Sequence, residues 1–261
     1  MSDLIEIVEK FQIFGVPEKI EPFGGGHINK TYKVSTKESY EKNYLLQKIN
    51  HKVFTDVDAL MDNICKVTSH IKEKASSDHQ GVLRIIPTLQ GRLFYKDADR
   101  YWRVFEFLGD ACSYDKAETK KQAFEAAKMF GLFLKDLSDF SPRKLHITIQ
   151  DFHNINVRLK QFNQALIEAD SHRIEKAIDQ VNMIEEYQKL AINLYQSADS
   201  GDLPLRVTHN DTKFNNVLLD KDEKGYAVID LDTVMPGYVF FDVGDGVRSR
   251  RCNGRGRRTK P

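Results

Sequence analysis

Apolar positions recur along the chain at two periods, and the change from one to the other divides it. Residues 3 to 13 place Leu4, Ile5, Val8 and Phe11 on one side, which predicts a short amphipathic helix. Three strand-like runs follow: "KIEPF", then "NKTYKV" after a triple glycine, then "NYLLQKI" beyond the polar turn "STKESYEK". Between residues 55 and 74, Val57, Leu60, Met61, Ile64, Val67 and Ile71 recur at steps of three and four, the spacing of one helical face. "GRLFYKD" and "RYWRVFEFL" supply two more strands. This order predicts a small sheet packed on one main helix.

After Gly109 the pattern lengthens. Residues 116–138, 151–170 and 173–198 are long, charged and periodic, so they read as helices. Strand signals return around "LPLRV", "NNVLLD" and "GYAVIDL". The expected fold class is α+β in two lobes: residues 1–108 a mixed lobe, residues 109–247 a mostly helical one, and a hinge near 105–110. Residues 248–261 stand apart as a basic tail.

Composition adds few surprises. With 41% hydrophobic and 30% charged residues among 261, the chain reads as an ordinary globular protein able to bury a substantial core. Its apolar runs are too short to span a bilayer, so no membrane association is expected. The start, "MSDLIEIVEK", lacks the layout of a signal peptide. Cys65, Cys112 and Cys252 are scattered and form no CxxC, which points to a reducing, cytoplasmic setting. The net charge of +1 hides an asymmetry. The segment 248–261 holds seven Lys or Arg and no acid, so the rest carries 32 basic against 38 acidic residues, a net of −6. An acidic body argues against nucleic acid as the partner.

Three clusters can carry chemistry. "FGGGHINKTYKV" sets Gly24, Gly25 and Gly26 between two strands, where a bare backbone can approach a phosphate; the same glycines also suit a plain hairpin turn. Lys48 on the third strand can reach phosphates under that loop, with Lys30 and Lys33 as competitors, or it is a solvated strand lysine. "VTHNDTKFNNVLLD" then gathers His209, Asp211, Asn215 and Asn216 in a loop between apolar runs, and "YAVIDLDTVMPGYVFFDVGD" adds Asp230, Asp232, Asp242 and Asp245. An acid at the end of a buried strand is costly unless it is paired or binds metal. Asn216 and Asp230 offer oxygen ligands suited to magnesium, although any one of these acids also suits a cap or turn.

His209-x-Asp211-x-x-x-x-Asn216, followed by a strand ending in "VIDLD", resembles the Brenner motif and metal-binding aspartate of the aminoglycoside phosphotransferase and choline kinase superfamily. The resemblance runs from about residue 20 to 247. It implies a protein-kinase-like fold, ATP and Mg2+ as cofactors, and a small-molecule acceptor. "GGGHINKTYKV", "YLLQKINHKVF", "TIQDFHNINVR", "HNDTKFNNVLLD" and "VIDLDTVMPG" together resemble N-acetylhexosamine 1-kinases, so the implied acceptor is the anomeric hydroxyl of an amino sugar. By this resemblance Asp211 orients the acceptor hydroxyl, Lys213 lies near the transferred group, and His209 braces the loop. Asn216 and Asp230 hold the metal, Gly24, Gly25 and Gly26 cover the phosphates with Lys48, and the backbone from Glu106 to Leu108 meets the adenine. His27 and Asp232 face the sugar. The same fold also serves kinases of aminoglycosides, choline, ethanolamine or homoserine, and a chain that only binds nucleotide is the non-enzyme alternative. Oligomeric state is left open.

Two departures stand out. Protein kinases pair the third-strand lysine with a glutamate on the next helix, and the helix predicted here has no Glu before Glu73. The tail "RSRRCNGRGRRTKP" also lacks apolar periodicity, where relatives of this family continue into further helices. It reads either as a natural basic arm or, the expectation adopted, as the product of a frame shift near residue 250 that leaves the second lobe incomplete and residues 248–261 disordered.

Overall fold

The computed structural model describes residues 2–25, 28–37, 42–74 and 81–250. By packing, the chain divides into one unit made of Met1–Thr148 with Val207–Pro261, and a second made of Ile149–Arg206. The fold is α+β, with an antiparallel sheet first and helices dominating the later part.

The main sheet of the first unit comprises β1 (Pro17–Pro22), β2 (Lys30–Thr36), β3 (Asn43–Ile49), β4 (Ile85–Ile86), β5 (Tyr95–Asp97) and β6 (Arg100–Glu106). Its order is β1-β2-β3-β6-β4, with β5 also paired to β6, and every neighbouring pair is antiparallel. Alternation along the strands gives the sheet two unlike faces. One presents Ile20, Val34, Tyr44, Leu46, Trp102 and Val104 to a core completed by Ile7, Val8 and Phe11. The other presents Gln47 and Arg103, and the Arg103 guanidinium reaches Met61 on α2 (Val57–Lys74). Asp56 starts that helix, its Oδ1 accepting the Ala59 N–H at 2.9 Å. The six apolar positions read from its sequence, Val57, Leu60, Met61, Ile64, Val67 and Ile71, are all buried.

The first helix, α1 (Ser2–Val8), stops short of the expected residue 13. Phe11 leaves the helix to bridge Thr88 and still buries its ring, 2% exposed. The short strands β4, β7 (Ala111–Cys112) and β11 (Met235–Gly237) were not anticipated, because so short a run carries no period.

Further along this unit, α3 (Lys120–Asp136) begins at a capping box formed by Thr119 and Gln122. Its Ala126, Met129 and Phe130 pack on Phe214, Val217 and Leu219. Phe214 lies in a single helical turn, Phe214–Asn216, while Val217 and Leu219 belong to a second small sheet of β7 (Ala111–Cys112), β9 (Val217–Asp220) and β10 (Gly225–Val228), in which a tight hairpin joins β9 and β10. A third pair, β8 (Arg206–Thr208) with β11 (Met235–Gly237), brackets the segment that precedes Asp211. Then α7 (Val239–Arg250) carries Asp242 back to it, so residues 248–250 of the expected tail are helical. Residues 251–261 lie outside the described part.

The second unit is helical: α4 (Ile155–Glu168), capped by Asn154, α5 (Ser171–Lys176), capped by Asp170, and α6 (Ile178–Asp199). The helix expected at 173–198 is broken at Ala177, whose φ of −108° and ψ of 9° separate α5 from α6. Among the described residues no helix is long and apolar enough to cross a membrane.

Gly237 tests how tightly β11 seats the neighbouring loop. A Cβ there would overlap Thr208 Oγ1 and lie 3.2 Å from Asn210 Oδ1. Gly237→Ala is therefore expected to lower stability by about 1–3 kcal/mol, the usual cost of overpacking. Gly244, inside α7 with open space at its Cβ position, is the control, and Gly244→Ala should be neutral or gain up to about 1 kcal/mol. Urea denaturation midpoints of both variants measure the difference.

Candidate active site

The chain leaves β8 at Thr208 and turns sharply. Asn210 sits at φ 65°, in the left-handed region that asparagine tolerates better than most residues. What holds this turn is a carboxylate on α7. Asp242 Oδ2 accepts the His209 N–H at 2.9 Å, and Oδ1 accepts the Asn210 N–H at 2.7 Å. The Asn210 amide closes the turn from inside, donating to Thr233 O at 2.9 Å and accepting from Thr208 Oγ1 at 3.1 Å. Thr212 Oγ1 then donates to Asp242 O at 2.6 Å. Every residue here is buried, so these bonds replace water that cannot enter.

His209 is fully buried between the rings of Phe130 and Phe133. Its Nδ1 accepts the Asp211 N–H at 3.3 Å, which places the ring proton on Nε2, and Nε2 donates to Ile229 O at 3.0 Å. Both nitrogens are thus engaged with backbone. The imidazole joins the Asp211 loop to the strand leading into the 230–232 turn.

Asp211 emerges at the surface of this frame, its side chain 19% exposed. Lys213 Nζ lies 2.9 Å from both of its carboxylate oxygens, and Asn216 Nδ2 donates to Oδ2 at 3.0 Å and to the Asp211 carbonyl at 2.8 Å. The carboxylate is therefore oriented from two sides. Asn216 commits its NH2 to Asp211, its backbone carbonyl accepts the Ile229 N–H at 2.9 Å, and its side-chain oxygen accepts no hydrogen bond among the described residues.

Asp230 also adopts the left-handed conformation, at φ 59° and ψ 59°. Crowding by protein atoms, then the charge of Asp232, push its carboxyl up to about 6, and Asp211 adds to the repulsion while His209 and Arg103 oppose it. The Asp230 side chain opens to solvent, so water screens part of this effect, and its direction is the chemically useful fact. An aspartate under the excess negative charge of Asp232 and Asp211 is chemically suited to a hard divalent cation. Asp232 is placed differently. It is 2% exposed, with Arg103 Nη1 2.6 Å from its Oδ1, Arg103 Nη2 donating to Oδ2 at 2.8 Å, and Asn29 Nδ2 donating to Oδ2 at 2.6 Å.

Of the other residues singled out in the sequence, Gly24 and Gly25 form the turn between β1 and β2, with Gly24 at φ 75° and open space at both Cβ positions. Gly26 and His27 lie outside the described residues. Lys48 is not brought to the Asp211 cluster. It shares the sheet face of Trp102, its Nζ 6.0 Å from that ring, while Gln47 beside it takes the face of Arg103. Glu106 ends β6 with its side chain on Arg84 and its N–H on Arg84 O, and Leu108 follows two residues later.

Sequence reading missed Arg103, Gln47 and Asn29, and gave Asp242 no role. One signal was present: "RYWRVFEFL" sets an arginine inside an apolar strand, and a buried cation requires an anion. Nothing in the sequence identified Asp232 as that anion.

A family model described as "Phosphotransferase enzyme family" matches residues 19–259 of the chain. Among solved structures, an aminoglycoside phosphotransferase from Alicyclobacillus acidocaldarius has a TM-score of 0.63 at 15% identity, covering 93% of this chain and 70% of that one. The AMP-bound complex of a spectinomycin phosphotransferase gives 0.61 at 15% identity, with 93% and 72% covered. An amicoumacin kinase in complex with AMP-PNP, Ca2+ and Ami gives 0.63 at 14% identity, with 94% and 67% covered. Likeness at these identities shows a shared fold.

If Asp242 sets the loop, Asp242→Asn exchanges one acceptor oxygen for an NH2 that cannot receive a second N–H. A buried donor left unpaired costs about 1–3 kcal/mol. Hydrogen exchange at the His209 and Asn210 amides should accelerate more than at the Leu46 amide in β3, and equal changes at all three would remove this role.

Proposed function

The chain belongs to the phosphotransferase enzyme family, and from that premise we propose that it moves the γ-phosphoryl group of ATP to the anomeric hydroxyl of an N-acetylhexosamine. The observation that carries the reading is the Asp211 carboxylate, fixed by Lys213 and Asn216 in a loop that spends its other polar groups on its own support. Phosphoryl transfer asks a protein mainly to position reactants and to offset charge. In this reading Asp211 accepts a hydrogen bond from the acceptor hydroxyl and takes its proton as the new P–O bond forms and the γ-phosphorus–oxygen bond to the leaving ADP breaks. Lys213, with its side chain 48% exposed, can turn from Asp211 toward the equatorial phosphate oxygens. His209 keeps Asp211 in place through its backbone.

Asn216 and Asp230 are the residues that would hold Mg2+, which when bound neutralises phosphate charge. Gly24 and Gly25 would let backbone approach the phosphates, and the Glu106–Leu108 segment would flank the adenine. In this scheme residues 1–108 are the nucleotide lobe and 109–247 the catalytic lobe. Support for the amino sugar comes from the five sequence blocks quoted above. A second acceptor class, antibiotic alcohols, is suggested by the structural neighbours, a spectinomycin phosphotransferase and an amicoumacin kinase. An assay of Mg2+–ATP consumption over hexosamines, hexoses, aminoglycosides, choline, ethanolamine and homoserine decides between them, with the product's phosphate position read by NMR. Activity confined to antibiotic or amino-alcohol acceptors overturns the sugar reading. ATP binding without turnover on any acceptor overturns transfer itself.

Two substitutions probe the roles. Asp211→Asn should lower kcat by about 100-fold or more, the range of acid–base residues, with ATP affinity nearly unchanged. Near-normal turnover would remove Asp211 from the reaction. Asp230→Asn should weaken metal-dependent nucleotide binding, because a charged ligand is lost. Asp220 is the control, since its Oδ1 only closes the β9–β10 hairpin by accepting the Asp222 and Lys224 N–H groups. Equal losses in Asp220→Asn would mean that the metal site is elsewhere.

A further inference from the structure

Arg103 is among the largest fully buried side chains of the protein, and all three guanidinium nitrogens are used. Nε donates to Gln47 Oε1 at 2.9 Å, Nη2 donates to Asp232 Oδ2 at 2.8 Å, and Nη1 lies 2.6 Å from Asp232 Oδ1 and 3.7 Å from Met61 Sδ. One side chain of β6 therefore touches β3, α2 and the 230–232 turn. Gln47 passes the link to β2, its Nε2 donating to Thr31 Oγ1 at 3.0 Å. Asp232 receives a second donor from the same direction. Asn29, at the foot of β2, donates to Asp232 Oδ2 at 2.6 Å and accepts the Asn50 N–H at 2.9 Å.

Asn29 is separated from Gly25 by three residues, and Asp232 stands two residues after Asp230. The foot of β2 and the turn that carries the metal ligand therefore converge on one buried carboxylate. Each donor withdrawn from Asp232 leaves a buried carboxylate less well compensated, which ties the turn to β6 through the ion pair and to the foot of β2 through Asn29. Asp230 is also held at a left-handed φ, which persists only where its surroundings over-determine it.

We infer that Arg103 and Asn29 are positioning residues for the metal site: through Asp232, two residues after Asp230, they hold the turn that carries the metal ligand against β6 and the foot of β2. The inference rests on the nucleotide-binding reading above and goes beyond it, because neither residue touches nucleotide or metal. Lysine cannot reproduce the fork. A guanidinium engages Gln47 and both oxygens of Asp232 together, whereas an ammonium is a single point charge.

The test compares wild type with Asn29→Ala, Arg103→Met and Arg103→Lys, using Mn2+ and ADP as probes. Mn–ADP affinity is read from free Mn2+ by electron paramagnetic resonance, metal-free ADP affinity by calorimetry in EDTA, and stability by thermal melting. Outer partners of a metal ligand typically contribute about 10–100-fold in metal affinity, so Asn29→Ala and Arg103→Met should bind Mn–ADP about tenfold or more weakly while metal-free ADP binding stays nearly unchanged. Arg103→Lys should fall between wild type and Arg103→Met. If Arg103→Met does not fold, Asn29→Ala carries the test, because it removes one donor and leaves the ion pair. Equal loss of metal-bound and metal-free ADP, or no loss in Asn29→Ala, overturns the positioning role while nucleotide binding by wild type stands. A wild-type chain that binds ADP neither with nor without Mn2+ overturns the proposed function, and this inference with it.

Discussion

Two buried carboxylates set the geometry on which the site depends. Asp242 receives two successive backbone N–H groups, and Asp232 receives a guanidinium and an amide. Beside each stands an aspartate that is not consumed in this way. The loop clamped by Asp242 ends in Asp211, and the turn clamped by Asp232 begins at Asp230. In both pairs one acid is spent on internal donors, backbone for Asp242 and side chains for Asp232, and the other reaches the surface. His209 couples the pairs, because its ring bridges the Asp211 N–H and the Ile229 carbonyl.

Apolar packing could hold these segments at lower cost, since burying charge brings a desolvation penalty that a hydrophobic substitute avoids. It could not hold them as specifically. Asn210 and Asp230 are both left-handed, a conformation worth about 1–3 kcal/mol of strain for a residue other than glycine. Directional bonds from Asp242, Thr233 and Thr208 fix the first of these turns atom by atom, which a smooth apolar surface cannot do. Arg103 adds a dimension of its own. It extends the second clamp across the sheet, so strand register and site geometry are set together.

Much of this was legible in the sequence, and the failures have physical causes. Helix α2 was visible because six apolar positions kept helical spacing, and all six are buried. The cluster of His209, Asp211, Lys213 and Asn216 was visible because these residues are close in sequence and their chemistry is local. Lys48 shows the limit. In a strand the face alternates with each residue, so whether Lys48 takes the face of Trp102 or that of Arg103 depends on a register that no run of seven letters fixes. Arg103 and Asp232 are 129 positions apart, and only folding brings them together. Asp242 had the same difficulty, since its partners at 209 and 210 are backbone atoms, which leave no mark on composition.

This division of labour also explains why the transfer step is easier to read than the acceptor. The clamps bind backbone and buried charge, and under the proposed reaction they would work unchanged whatever alcohol approached Asp211. Discrimination among alcohols comes from polar groups that must each find a partner on the substrate, because a buried group left unpaired loses far more than a missing methylene does. Such groups can be exchanged on loops without disturbing Asp242, Asp232 or Arg103. A fold stabilised at its catalytic turns by internal anions is thus free to vary its acceptor surface. The residues that choose the substrate need share neither the spacing nor the burial of those that move the phosphoryl group.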